Sequence, residues 1–139
     1  MPAPRKTPWV RLLRSRAFWL LLLALALARV VEVEGEGGRS HLVLFPWEEV
    51  RVEFVNSVTG KPVLVEFRPL FRFQGFRAYA DPETEAYYTA GAYSWNAALA
   101  RERRKELAYC SETGLALRLG RKWFRAEGGC LRVRLLWPP

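Results

Sequence analysis

Two-residue alternation of apolar and polar side chains dominates the chain after its first thirty residues. Val50, Val52 and Phe54 fall on one face of a predicted strand, with Arg51 and Glu53 on the other. After the Thr59-Gly60-Lys61-Pro62 break, Val63, Val65 and Phe67 repeat the pattern against Leu64 and Glu66, so this segment reads as strand, tight turn and strand. Upstream, Val and Glu alternate over 31–36 and predict a first strand with one wet face, followed by a loose link through Gly35, Gly37 and Gly38. Leu42 to Phe45 is a short apolar strand that Pro46 stops. Beyond Pro69, an aromatic run continues through Phe71, Phe73 and Phe76, and Asp81-Pro82-Glu83-Thr84 reads as a turn. Leu115, Leu117 and Leu119, then Leu131, Val133 and Leu135, predict a second hairpin-like pair joined through Trp123, Phe124 and the Gly128-Gly129 break.

Only 96–109 favours helix, since Ala97, Ala98, Leu99, Ala100, Glu102, Lys105, Glu106 and Leu107 are strong helix formers and Asn96 suits an N-cap. The expected fold is mainly β, a small antiparallel sandwich or partly open barrel with room for one short helix, preceded by an N-terminal hydrophobic leader helix.

The leader has a pattern of its own. Residues 17–28 carry no charge and would make a helix about 18 Å long, against a hydrocarbon core of about 30 Å. Arg5, Lys6, Arg11, Arg14 and Arg16 precede that run, and Ala26-Leu27-Ala28 closes it with the small-residue spacing of a signal-peptide cleavage site before Arg29. If instead Arg29 snorkels and Val30, Val31 and Val33 join the buried run, the same helix stays as an uncleaved membrane anchor. Both of these readings put the body outside the cytoplasm, the third being a core helix of a cytoplasmic chain. The chain is expected to divide into a leader over 1–28, a linker and first strand over 29–41, and an extracytoplasmic β-rich domain over 42–139.

Charge changes this picture little. The chain has a formal charge of +8, but with the five leader cations set aside, 17 basic residues face 14 acidic ones. A phosphate-binding groove needs clustered Lys and Arg in the folded part. The one dense cluster, Arg101, Arg103, Arg104 and Lys105, is broken by Glu102 and reads as a solvated face, so nucleic acid is not an expected partner.

Catalytic chemistry finds few supports. Gly60-Lys61 lacks the first glycine and the Ser or Thr of a phosphate loop, because Val55 and Pro62 stand there. Ser57 and Lys61 are not at the spacing of a serine nucleophile and its lysine base, and the single histidine, His41, is too little for a zinc site. No cofactor, no metal and no enzymatic activity are expected. Cys110 and Cys130, the only cysteines, suit a disulfide in an exported chain, tying the end of the expected helix to the final strand. Tyr87, Tyr88, Tyr93 and Trp95 crowd a short region that either fills a core or, with Phe73 and Phe76, lines a cleft for a small solute.

The central hairpin resembles the bacterial family described as domain of unknown function 1850. That family's pattern runs aromatic, aliphatic, His-Ser-Val, acid, two variable residues, Pro and aliphatic; here it is matched without a gap by Phe54, Val55, Asn56-Ser57-Val58, Thr59, Gly60-Lys61, Pro62 and Val63. Asn56 replaces the usual His and Thr59 the usual acid. Arg72-Phe73-Gln74-Gly75-Phe76-Arg77-Ala78 is similar to a second run of the family, with Gly75 for Ser and Arg77 for Gly. The resemblance implies a small envelope protein encoded beside membrane subunits of TAXI-type tripartite (TRAP) transporters, hence an accessory of integral-membrane transporter subunits. Asn56, Ser57, Lys61, Arg72, Phe73, Phe76 and Trp95 are the expected contacts to a ligand or partner, with Asn56 and Ser57 otherwise serving to stabilise the turn.

Overall fold

The computed structural model describes residues 8–139; Arg5 and Lys6 of the leader lie outside the described residues. Nine strands among these residues form two antiparallel sheets: β1 (Arg29–Gly35), β2 (Gly38–Leu44), β3 (Val50–Val55), β4 (Pro62–Pro69), β5 (Phe73–Tyr79), β6 (Glu106–Ser111), β7 (Leu115–Leu119), β8 (Lys122–Ala126) and β9 (Gly129–Trp137). The first sheet has the order β2-β1-β9-β6 and the second β5-β4-β3-β7-β8. Their inner faces meet in one core. Val31, Val33, Leu131, Val133 and Leu135 of the first sheet lie opposite Val52, Val65, Phe67, Leu117 and Leu119 of the second, all buried. The fold is a β-sandwich, as the alternation requires when each sheet has one apolar face.

The central hairpin forms as expected, with Val50 opposite Phe67 and Val55 opposite Pro62. Between Glu66 and Arg68 the pairing of β4 with β5 slips by one residue, and Gly75, at φ 70°, supplies the extra position. A residue with a Cβ is disfavoured at that backbone angle, so the glycine sets this bulge and keeps both Phe73 and Phe76 turned to the core.

Three expectations are corrected. The strand at 115–119 pairs not with 131–135 but with β8, through a tight turn at Gly120-Arg121; β9 crosses to the other sheet and lies between β1 and β6. A nearby hairpin partner was available in Lys122–Ala126, leaving β9 free to close the first sheet. The helix expected over 96–109 is reduced to α4 (Trp95–Leu99), with Ser94 rather than Asn96 as its N-cap. Glu106–Ser111 is strand instead, because Leu107 and Tyr109 alternate inward and β9 offers a full ladder, which outweighs helix propensity. A helix absent from the sequence reading, α3 (Pro82–Thr89), occupies the Asp81-Pro82 turn, where Asp81 is the N-cap and Pro82 starts the first turn.

Edge strand β5 is protected in an unusual way. The Asn96 side chain accepts from Ala78 N at 2.7 Å and donates to Ala78 O at 3.1 Å, copying a neighbouring strand, while Phe73 and Arg104 exchange backbone hydrogen bonds further along. Replacing Asn96 by Ala uncovers the middle of this edge, and the variant is expected to self-associate at concentrations where the parent is monodisperse, as read by size-exclusion chromatography with light scattering.

The leader consists of α1 (Pro8–Arg14) and α2 (Arg16–Leu27), broken at Ser15, whose backbone is extended. No helix among the described residues is long and apolar enough to cross a membrane. The helix does not run on through Val30, Val31 and Val33, because β1 begins at Arg29 and buries Val31 and Val33 in the sandwich. Residues 29–41 supply β1 and most of β2, so they are part of the first sheet.

Candidate functional site

The hairpin turn after β3 is built around Asn56. Its carboxamide is buried, and Oδ1 accepts from the backbone N–H groups of Val58 and Thr59, both at 2.9 Å. The backbone closes the same loop, with Asn56 N donating to Lys61 O and Gly60 N to Asn56 O. One side chain thus saturates the interior of the turn.

Asn56 also reaches across to the helices, since Nδ2 donates to Tyr88 Oη at 3.0 Å, and the Tyr88 ring stacks on Trp95 at 4.6 Å. Thr59 Oγ1 lies 2.8 Å from Thr84 Oγ1, and the fully buried Thr84 hydroxyl donates in turn to Asp81. Lys61 Nζ bridges Asp81 and Glu83 at 3.0 and 2.8 Å. The Thr84 hydroxyl and then Lys61 hold the Asp81 carboxyl below its usual range, and Glu83 and Asp81 raise Lys61. Turn and α3 are therefore riveted together by polar contacts drawn from residues some 25 positions apart.

A cleft of about 390 Å³ opens beside this turn, lined by Asn56, Ser57, Tyr87, Tyr88, Cys110 and Glu112 among others. Ser57 is exposed there and Tyr87 stands half out of the surface. Cys110 and Cys130 face each other across β6 and β9 with their Cα atoms 4.0 Å apart and are disulfide-bonded. The bridge ties two adjacent strands rather than a helix end to a strand.

The structure divides the expected contact residues. Asn56, Ser57, Lys61 and Trp95 gather around the turn, although Lys61 turns away from Ser57 toward the acids of α3. Arg72 lies at the opposite end of the sandwich, beside Phe71. Phe73 and Phe76 are core side chains packed on Phe67, at 0% and 4% exposure, so they do not join Tyr87, Tyr88 and Trp95 in an aromatic cleft. Proximity in sequence suggested one cluster; the strand turns Phe73 and Phe76 inward and the helices carry the tyrosines to its far end.

Sequence reasoning missed the outer face of the five-stranded sheet. There, Arg77, Glu66, Arg51, Arg118 and Trp123 follow one another across five strands in register. Beside this row a groove of about 690 Å³ is lined by Glu53, Leu64, Tyr79, Ala116 and Arg125 among others. The two-residue period could have shown that these side chains share a face, but not that β7 and β8 extend it. Burial and a shared hydrogen bond with Glu66 push the Glu49 carboxyl above its usual range, despite Arg51 and Arg118 nearby. A raised carboxyl opposes folding while it is ionised, so Glu49→Gln is expected to raise the melting temperature at neutral pH. That gain fades as pH falls through the raised value, where Glu49 takes up its own proton; paired thermal scans across acid and neutral buffers check it.

Among the described residues no three His, Cys, Asp or Glu side chains gather in the way a metal ion needs. No family model, curated protein or solved structure matches this chain.

Proposed function

We propose that the chain is a non-enzymatic accessory domain of the cell envelope, held on the extracytoplasmic side of the inner membrane and working beside an integral-membrane partner, in keeping with the resemblance to the family found next to TAXI-type TRAP transporters. The observation that carries this reading is α2. Its leucines and Trp19 are mostly half exposed or more, with nothing among the described residues covering them, and the helix passes through a single residue, Ala28, into the first sheet. A helix that is apolar all round finds its place in lipid. The disulfide adds support, since such a bridge persists in oxidising compartments.

The test is a detergent pull-down of the full-length chain from its native membranes, with mass spectrometry of partners and of the bait's own N-terminus. Co-recovery of a multi-span transporter subunit upholds the accessory reading. Recovery of the bait alone, starting at Arg29, overturns it.

A second reading, a small-solute binding module, has support in the open groove beside Glu53, Tyr79 and Arg125 rather than in the aromatic cluster. Trp123 neighbours that groove through its contact with Arg125, so a solute seated there would change tryptophan emission; a solute screen that leaves emission unaltered removes this reading.

A further inference from the structure

The two ends of the sandwich differ in chemistry. Strand register places the Arg29 end of β1, the Leu44 end of β2, the Trp137 end of β9 and the Phe67–Phe73 connection at one pole. Leu119 and the Gly120-Arg121 turn lie there too, since Leu119 pairs with Val50 and Gly120 packs near Glu48 and Leu44. Arg104 joins them through its bridge to Phe73, and Lys105 through Leu135 N. α2 enters the sandwich at this pole.

Three large aromatics stand exposed here, Trp47 at 63%, Phe71 at 72% and Trp137 at 45%. Around them lie the exposed cations Arg103, Arg104, Lys105, Arg121 and Lys122. Acids at this pole are partly engaged: Glu48 accepts from Phe45 N and Glu102 pairs with Arg104. The opposite pole, with the Asn56 turn, carries Glu36, Asp81, Glu83, Glu112 and Glu127, with Lys61 bridging Asp81 and Glu83. The cationic run at 101–105, read in the sequence as a solvated face, thus sits on the side where the apolar helix emerges.

Two contacts fix the helix to this pole. Arg29, 4% exposed, donates to Ala26 O at 2.6 Å and Ala28 O at 3.1 Å at the end of α2, and to Leu70 O at 2.7 Å in the sandwich, with its guanidinium over the Phe71 ring. Trp137 Nε1 donates to Leu25 O at 3.1 Å. Two of the exposed aromatics are thereby held beside the helix axis.

We infer that this pole is a bilayer-docking surface for anionic phospholipid: α2 enters the hydrocarbon, Trp47, Phe71 and Trp137 settle at the interface, and the five cations meet lipid phosphates. Trp and other amphipathic rings prefer that depth, and basic residues near the surface are attracted by anionic headgroups. The acidic pole then faces away from the membrane, which repulsion from the same headgroups favours. This rests on the proposed place at the membrane surface and names lipid itself as the partner of one end.

The experiment uses the full-length chain, with 5-fluorotryptophan at its Trp positions, in nanodiscs of phosphatidylglycerol and phosphatidylcholine carrying a gadolinium-chelate headgroup lipid. Single Trp→Phe variants assign the fluorine resonances. Trp47 and Trp137 are expected to broaden beyond detection while Trp95, at the acidic pole beside Tyr88, stays sharp. In discs of phosphatidylcholine alone, or with the Arg103→Glu, Lys105→Glu, Arg121→Glu variant on anionic discs, the Trp47 signal is expected to return. Sharp Trp47 and Trp137 signals on anionic discs, equal broadening of Trp95, or indifference to headgroup charge would overturn the inference. A pull-down that recovers the bait with α2 intact but no transporter subunit removes the accessory role and leaves this result standing, so the two failures are separable.

Discussion

Removing the Cys110–Cys130 bridge is expected to lower the stability of the folded chain by about 3 kcal/mol, the loop-closure entropy of a cross-link across some 20 residues. Both cysteines are solvent-exposed, so the Cys110→Ala, Cys130→Ala variant loses the cross-link with little loss of packing. The effect concentrates on β6, an edge strand of the first sheet that pairs only with β9. Denaturant titrations of parent and variant measure the whole loss, and amide exchange locates it. Exchange should quicken first over Glu106–Ser111, whose ladder then depends on hydrogen bonds and the inward Leu107 and Tyr109 alone. An unchanged midpoint would mean that the unfolded chain is already restricted near this loop.

Asn56→Ala is expected to cost about 3 kcal/mol, from three lost hydrogen bonds at about 1 kcal/mol each with their partners left in place. Asn56→Asp keeps both acceptor contacts to Val58 N and Thr59 N, and the Tyr88 hydroxyl can turn to donate to the new carboxyl, so its cost reads the burial of a carboxyl at this site rather than lost hydrogen bonds. Ser57→Ala, at an exposed neighbour, should leave stability within about 0.5 kcal/mol of the parent. Chemical unfolding of the three variants decides this, and a Ser57 effect as large as that of Asn56 would contradict the turn described here.

Strand alternation made most of the sandwich legible. Val50, Val52 and their mates across the turn could bury only on one face, and they do, with Phe54 half-buried on the same face. Pairing was harder, since Leu115–Leu119 and Leu131–Leu135 have the same period and nothing local says which neighbour each takes. Helix was misjudged in both directions for related reasons. Glu106 and Leu107 favour helix until β9 lies beside them, whereas Pro82 looks like a turn until the residues after it find Thr59, Asn56 and Lys61 to hold. The turn chemistry of Asn56 was visible in the residue type, but its tie to Tyr88 joins positions 32 apart and depends on where α3 sits. Aromatic spacing alone could not tell the buried Phe73 and Phe76 from the half-open tyrosines.

The clasp of Arg29 and Trp137 on the end of α2 also governs reach. There is no slack between helix and body, because Ala28 alone separates Leu27 from the first strand. A body on a long tether samples a wide volume and can pursue a soluble partner; this one turns only as a whole with α2. A seven-residue strand is about 23 Å long. With α2 in the bilayer as proposed, the acidic pole would stand at roughly that height above it, and a partner would have to come to that level, within a lateral search confined to the plane of the membrane.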